Sequence, residues 1–422
     1  MENISGRTKF VTILICLMPI LDPYVFLQVG GFELHVVDFL MFICCILHIF
    51  SKRSFLLNKH LFFVALTIFV ANLLTFLVSS PNSSFGLSIR VWVYWIIYFV
   101  FFSTVAEDSN KEQFLKYVVL IARISTYFLL IQFLMVTIGI GVWDGQLPLM
   151  LSETDGWSQL KDITGSIRVH SFFQEPSYYA MYIMPVLAYS LKEKYVKTVV
   201  LLVVGLLIST SSMGIAGIGI IFIMWLFFEK KKNLTARQFV TLAIVIVAGV
   251  SAFAFAYNKY PIVKETVEYM IEKVLKARGD LNQAYMGSTK IRILGNIGLF
   301  ENFTTFKKIF GLGINQYTLV YPSVIPYSNT MVTFLLNGGV VVALSYLFFE
   351  LKLFFDSEGF NKIYPMLFIL VMFTDLCIFT WYAFYLLYWI LIHSKESAKN
   401  NDIRFVLGKH ISSVAEECDK GE

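Results

Sequence analysis

Charge is scarce in this chain: of 422 residues only 15% are Asp, Glu, Lys or Arg, against 57% apolar residues. Soluble domains carry about 25% charged residues, so water is excluded as the main solvent. The mean hydropathy of +0.69 says the same. Cysteine is equally sparse. Cys16, Cys44, Cys45 and Cys377 lie inside apolar runs and Cys418 lies near the end, which excludes a disulfide framework and a cysteine metal site. No D-x-D and no His/Cys cluster occurs in the polar segments, so metal assistance is not expected. The net charge of +5 does not form a stripe or patch; Lys and Arg stand in small groups between apolar runs, which argues against nucleic acid as a partner. A small-x-small cleavage site is also missing after the first apolar run, where Pro19, Asp22 and Pro23 stand instead, so that run is expected to be a retained helix.

What is present is a series of apolar stretches, many long enough to cross a bilayer core of roughly 30 Å. The expected fold is an all-α bundle of about twelve spans, near residues 10–29, 36–50, 61–79, 88–106, 114–139, 176–191, 196–210, 212–228, 238–257, 330–350, 363–378 and 380–394. Residues 1–394 would form one transmembrane domain and 395–422 a short tail. With the first residues placed in the cytoplasm, the segments on that side hold 21 Lys and Arg residues. The segments on the other side hold Arg90, Lys161 and Arg168, plus nine in the loop 258–329, whose length exempts it from the count. Short cytoplasmic loops retain positive charge, so both termini are expected inside. Two outer loops, 140–175 and 258–329, exceed the length of a connector and are expected to carry function. Within the second, residues 260–278 have the spacing of an amphipathic helix.

The chemistry is expected where helices begin on the outer side. Arg168-Val-His-Ser-Phe-Phe-Gln-Glu175-Pro176-Ser177 closes the first long loop, with Glu175 and Pro176 as cap and first residue of a helix. The apolar run 196–228 is broken by Ser209-Thr-Ser-Ser-Met-Gly214, which supplies a cap to a second helix. Pro326-Tyr-Ser-Asn-Thr330 precedes a third. Helix N-termini attract anions, and broken helices with polar starts are a recurrent way to bind them in membranes. For each one, ordinary capping is the competing explanation. Arg90, Arg168 and Arg292 are candidates to grip a diphosphate bidentately. Arg123, inside the fifth span, is explained by snorkelling or pairing as well as by function. Gly214-x-x-Gly217-x-Gly219 reads as close helix packing, since no strand precedes it.

These segments resemble the O-antigen polymerase and ligase group, the Wzy-type membrane polymerases and their ligase relatives. The resemblance rests on R-x-x-x-F-x-x-E-P-S at Arg168 to Ser177, the serine-rich break before Gly214, and Arg292 followed by Ile309-Phe-Gly-Leu-Gly-Ile314. It extends to Ser328-Asn-Thr with the downstream Leu-Asn-Gly-Gly339, and in layout it covers most of the chain. It implies a glycosyltransferase of the bacterial cytoplasmic membrane that acts on undecaprenyl-diphosphate-linked glycans and needs no nucleotide sugar or metal. A chain-length regulator and a flippase would be its partners. Arg168, Glu175 and Arg292 would be catalytic, with Glu175 taking the acceptor hydroxyl proton. Arg90, Ser177, Ser211, Ser212, Tyr327 and Asn329 would bind substrate. Trp143, Trp157, Phe172, Phe173 and Tyr321 can stack on sugars or anchor at an interface. Two departures stand out: Met213 occupies the position of a common Arg, and Tyr327 and Ser328 stand where ligase relatives carry a His. The alternatives are a ligase that transfers glycan to lipid A core or protein, and a transporter or flippase. The transporter would be expected to show internal repeats, which are absent, and deep ionisable residues, here chiefly Arg123, Glu350 and Asp375.

Overall fold

The computed structural model describes residues 5–29, 32–79, 103–152, 157–160, 167–230, 297–313, 328–375, 380–394 and 402–406. Over these residues the chain is mostly helical. In order come α1 (Gly6–Leu21), the hairpin β1 (Val25–Val29) and β2 (Phe32–His35), α2 (Val36–Lys52), β3 (Ser54–Asn58) and α3 (Lys59–Ser79). There follow α4 (Lys111–Thr137), α5 (Pro176–Lys192), α6 (Val196–Ile208), α7 (Ser212–Trp225), α8 (Ile297–Glu301) and α9 (Thr305–Phe310). The last elements are α10 (Thr330–Asp356), α11 (Ile363–Thr374), α12 (Trp381–His393) and β4 (Asp402–Val406). Among the described residues, four helices are long and apolar enough to cross a membrane, with bounds Lys59–Val78, Lys111–Thr137, Ser212–Glu229 and Thr330–Asp356. The fourth expected span is seen only as helix at 103–107, and the ninth lies outside the described residues, as does the amphipathic stretch at 260–278.

The first expected helix, 10–29, is corrected: it starts at Gly6 and stops at Leu21. Pro23 cannot donate to a helical ladder, and the apolar residues after it pair as an antiparallel hairpin instead. Its register sets Leu27 opposite Leu34 and Gln28 opposite Glu33. Asp375 is corrected too. It is not deep in a helix but is the C-cap of α11, in extended conformation, and its carbonyl accepts from both the backbone N–H and the hydroxyl of Thr330 at 3.0 Å.

Helix directions follow from side-chain contacts. Tyr178 stacks on Tyr382 with centroids 4.7 Å apart and Tyr182 on Tyr385 at 4.8 Å, so α5 and α12 run parallel. Tyr364 lies against Trp389 and His393, so α11 runs antiparallel to α12. Trp381 at the start of α12 donates its indole N–H to Asp38 in the first turn of α2 at 2.9 Å. Its backbone N–H points to Asp22, after the end of α1, at 3.4 Å. Thus α2, α5, α10 and α12 all begin at one face of the bundle. α12 is apolar all round and correspondingly buried, with Trp381, Tyr382, Tyr385 and Trp389 enclosed.

The opposite face collects the cations Arg7, Lys52, Lys111, Lys192, Lys197 and Lys362 at helix ends. It is tied together by Asp108, which pairs with Arg7 and accepts from His48 Nδ1 at 2.8 Å and Lys52 Nζ at 3.1 Å. The tail returns to this face: β4 pairs antiparallel with β3, Ser54 opposite Val406 and Asn58 opposite Asp402. The start of α1 and the strand at 402–406 therefore lie on the same side. Burial raises the Asp108 pKa, but hydrogen bonds from His48 and Lys52 outweigh it and hold the carboxyl below its ordinary value. A depressed folded pKa gives stability that is present above the unfolded value and lost as pH falls through the folded one. Thermal unfolding in detergent is therefore expected to show Asp108→Asn destabilised by about 3 kcal/mol near neutrality. Below roughly pH 4 the difference from wild type should shrink; a constant difference down to that range would remove the ion cluster from the stability account.

Candidate functional site

Two helix starts lie side by side. A Cβ on Gly214 would sit 3.2 Å from the Ala180 Cβ, and one on Gly217 would sit 2.0 Å from Met184 Sδ. Contacts that climb together, 180 with 214 and 184 with 217, mean that α5 and α7 are parallel and that their first turns share one face. A Cβ at either position would crowd side chains of α5, so glycine lets the two helices pack closely here. Gly219, the third glycine of the motif, faces open space. α6 enters the same group from the other direction: Gly205 makes room for Tyr179, whose hydroxyl bonds that of Thr126 in α4 at 2.9 Å.

Each start is built as its sequence suggested, with one difference. Ser211 is the N-cap of α7 and its Oγ accepts from the Gly214 N–H at 3.3 Å. The serine-rich break is made by Thr210 in a left-handed conformation, φ 58. Ser212 is the first helical residue and is exposed, whereas Ser209, Thr210 and Ser211 are buried. Asn329, also buried, caps α10 by accepting from the Val332 N–H at 2.8 Å. Glu175 occupies the N-cap position of α5 ahead of Pro176, but its side chain does not cap the backbone; it accepts a short hydrogen bond from Ser177. Ser177 and Glu175 are thus brought together, and the N–H groups of Tyr178 and Tyr179 donate to the Glu175 carbonyl at 3.1 and 3.2 Å.

Arg168 lies seven residues before that turn, half-buried, and its guanidinium makes no hydrogen bond or ion pair among the described residues. Its backbone N–H binds Leu160 O at 2.9 Å and Ser158 N binds Gln174 O at 3.0 Å, so residues 157–160 and 168–174 run alongside each other. Arg90, Arg292, Tyr327 and Tyr321 lie outside the described residues. Arg123 is exposed on α4.

Sequence reasoning missed the residues that hold this loop. Gln132 in α4 is fully buried; its Oε1 accepts from Ser171 N at 2.8 Å and its Nε2 donates to Trp143 O at 3.2 Å and Ser171 O at 3.3 Å. Ser171 has φ 60, and Gly145, at φ 96, comes so close to its carbonyl that a Cβ would lie 1.8 Å from the oxygen. Trp143, Phe128 and Phe172 form an aromatic shelf, with Phe128 and Phe172 stacked at 4.5 Å. His170 is buried and its Nε2 lies 2.9 Å from Ser158 O. That carbonyl only accepts, so Nε2 carries the proton. Burial holds the His170 pKa below its ordinary value, which keeps the ring neutral. The only sequence hint of Gln132 was a long polar side chain in an apolar helix. A third start is fixed by backbone: α10 breaks at Gly339, φ 68, and the carbonyls of Leu336 and Asn337 accept from Leu312 and Gly313 at 2.9 Å each.

The sequence matches no protein-family model and no curated protein. Gln132→Ala leaves three loop groups without partners and is expected to cost about 2–4 kcal/mol. Limited proteolysis should then cut within 140–175 well before the helices; unchanged resistance would show that the loop is held elsewhere.

Proposed function

We propose that the chain is a multi-pass protein of the bacterial cytoplasmic membrane, with about twelve spans and both termini inside. In this reading it polymerises undecaprenyl-diphosphate-linked oligosaccharide units into a surface polysaccharide at the outer side. The observation that carries the reading is the pair of parallel helix starts at α5 and α7, with Arg168, unpaired among the described residues, on the segment that leads into one of them. Support for the orientation comes from the crowding of cations at the opposite face, where positive charge is retained on the cytoplasmic side.

Polymerisation moves a growing glycan from its lipid diphosphate to a hydroxyl of the next unit. The diphosphate is a stable leaving anion, so the protein's work is to hold its developing charge and align the two glycans. The positive dipole ends of α5 and α7 and the Arg168 guanidinium are suited to the first task, with Arg292 and Arg90 assigned to it by the resemblance. Glu175, held by Ser177, is assigned the acceptor proton. The shelf of Trp143, Phe128 and Phe172 offers apolar faces to sugar rings. Ser211, Ser212, Tyr327 and Asn329 are assigned to substrate binding.

A transporter is the second reading, and one observation favours it. Glu350 in α10 is fully buried and neither carboxylate oxygen has a hydrogen-bond partner among the described residues, an arrangement associated with intramembrane proton or ion pathways. The two readings separate in the native bacterium. Arg168→Ala is expected to lower polymer formation about a hundredfold or more, leaving single repeat units at the surface and protein levels in the membrane unchanged. Glu350→Gln is expected to keep the wild-type ladder. A normal ladder in Arg168→Ala would overturn the polymerase, and loss of surface glycan of every length in Glu350→Gln would favour transport.

A further inference from the structure

The loop 140–175 holds a buried histidine that the proposed chemistry does not use. His170 is 0% exposed and donates its Nε2 proton to the Ser158 carbonyl at 2.9 Å. Ser158 is gripped from its other side as well, since its N–H donates to Gln174 O at 3.0 Å. Two residues on, Leu160 O accepts from the Arg168 N–H at 2.9 Å. These hydrogen bonds join segment 157–160 to segment 168–174, and the one from His170 is made by a group that titrates. The Trp157 ring packs against the imidazole at a steep angle, centroids 5.7 Å apart, and Tyr24 lies 6.1 Å from Trp157. A second proton on His170 must go to Nδ1, because Nε2 already carries one. Nδ1 has no hydrogen-bond partner among the described residues, so an imidazolium there would hold a buried charge with one N–H unmet. Two charged groups act on the ring: Arg168 repels an imidazolium and Asp144 attracts it. Burial is the larger influence, and together with Arg168 it holds the pKa below the ordinary 6.5 against Asp144 and the Ser158 and Phe173 backbone.

We propose that His170 is a pH latch: neutral, it fastens segment 157–160 onto the segment that carries Arg168, and on protonation it lets that segment go. The direction follows from linkage. The fastened state disfavours the second proton, whereas the released state, in which the ring meets water, accepts it. Fastening is therefore complete above the pKa of the released ring, about 6.5, and weakens as pH falls from there toward the lower value of the fastened ring. The loss is at most about tenfold per unit of pH, the limit for one proton. Histidine is the side chain suited to this range, in which exposed carboxylates and lysines keep their charge. With the loop outside, as the proposed orientation has it, the latch answers to external acidity. The fastening itself does not rest on the polymerase reading, which stands or falls separately.

The test is hydrogen–deuterium exchange of the full chain in neutral detergent, read by mass spectrometry on peptides covering 157–160 and 168–174 and corrected for the intrinsic exchange rate. Between about pH 7.5 and 5.5 the protection of these amides is expected to fall roughly tenfold, while peptides of α5 stay protected. Restoring the starting pH should restore it. His170→Gln keeps an N–H donor for Ser158 and cannot take a proton, so its protection is expected to be the same at both ends of the range. Asp144→Asn keeps an oxygen for the Gln146 N–H, 3.0 Å away, and is expected to release as wild type does. Protection that does not change with pH in the wild type, or that changes equally in His170→Gln, overturns the latch. So does a release that disappears in Asp144→Asn, which would assign the titration to that carboxylate, or one that spreads to α5, which is unfolding. If His170→Gln is open at every pH, the wild-type and Asp144→Asn profiles decide between these outcomes.

Discussion

The close approach of α5 and α7 is the constraint on which the rest of the arrangement depends. Inside a bilayer, burying apolar area gives no advantage over lipid, so helices associate by dispersion and fit. Gly214 against Ala180 and Gly217 against Met184 supply that fit, and the parallel direction it imposes sets two helix starts side by side. The serine-rich break makes this possible. Without the left-handed turn at Thr210, residues 196–225 would continue as one rod, and α7 would have no N-terminus on this face. α12 reinforces the arrangement by stacking Tyr382 and Tyr385 on Tyr178 and Tyr182, and α11 carries it to α10 through the Asp375 carbonyl.

The two faces of the bundle divide the electrostatic work. At one face carboxylates and cations neutralise one another around Asp108, the β3–β4 pair gathers the tail, and excess Lys and Arg point outward. At the other lie the helix starts, and Arg168 makes no ion pair among the described residues. The loop that carries Arg168 is pinned by Gln132 and Gly145, a constraint on sequence as well as on structure. In the polymerase reading, a lipid diphosphate pairs with Arg168.

Much of this was legible in the residues. Pro176 at the first helical position, Ser211 and Asn329 as caps, and Gly214 and Gly217 as packing positions are local rules, and the structure follows them. Departures arose where local rules compete with distant partners. The stretch after Pro23 is apolar enough for a helix, yet pairing with residues 32–35 decides it. Asp375 looked deep in a span, but its helix ends one residue earlier. Glu175 has the position of a cap and a different partner. Gln132 could not be assigned a role because its bonds go to backbone 11 and 39 residues away. The partners of Arg90, Arg292 and Tyr327 lie outside what the structure describes, so their roles rest on the resemblance.

The central claim is that the paired starts of α5 and α7 bind a diphosphate. Its most direct measurement is the binding of a polyprenyl diphosphate, compared with the neutral polyprenol, to the purified chain and to Gly214→Leu. The Ala180 methyl has no rotamer with which to yield, so the substitution must push α7 away while Arg168 and the loop remain. Preferential binding of the diphosphate by wild type, lost in a variant that still unfolds cooperatively, is the predicted result. Equal binding of the two lipids, or a variant that binds as wild type does, would contradict the claim.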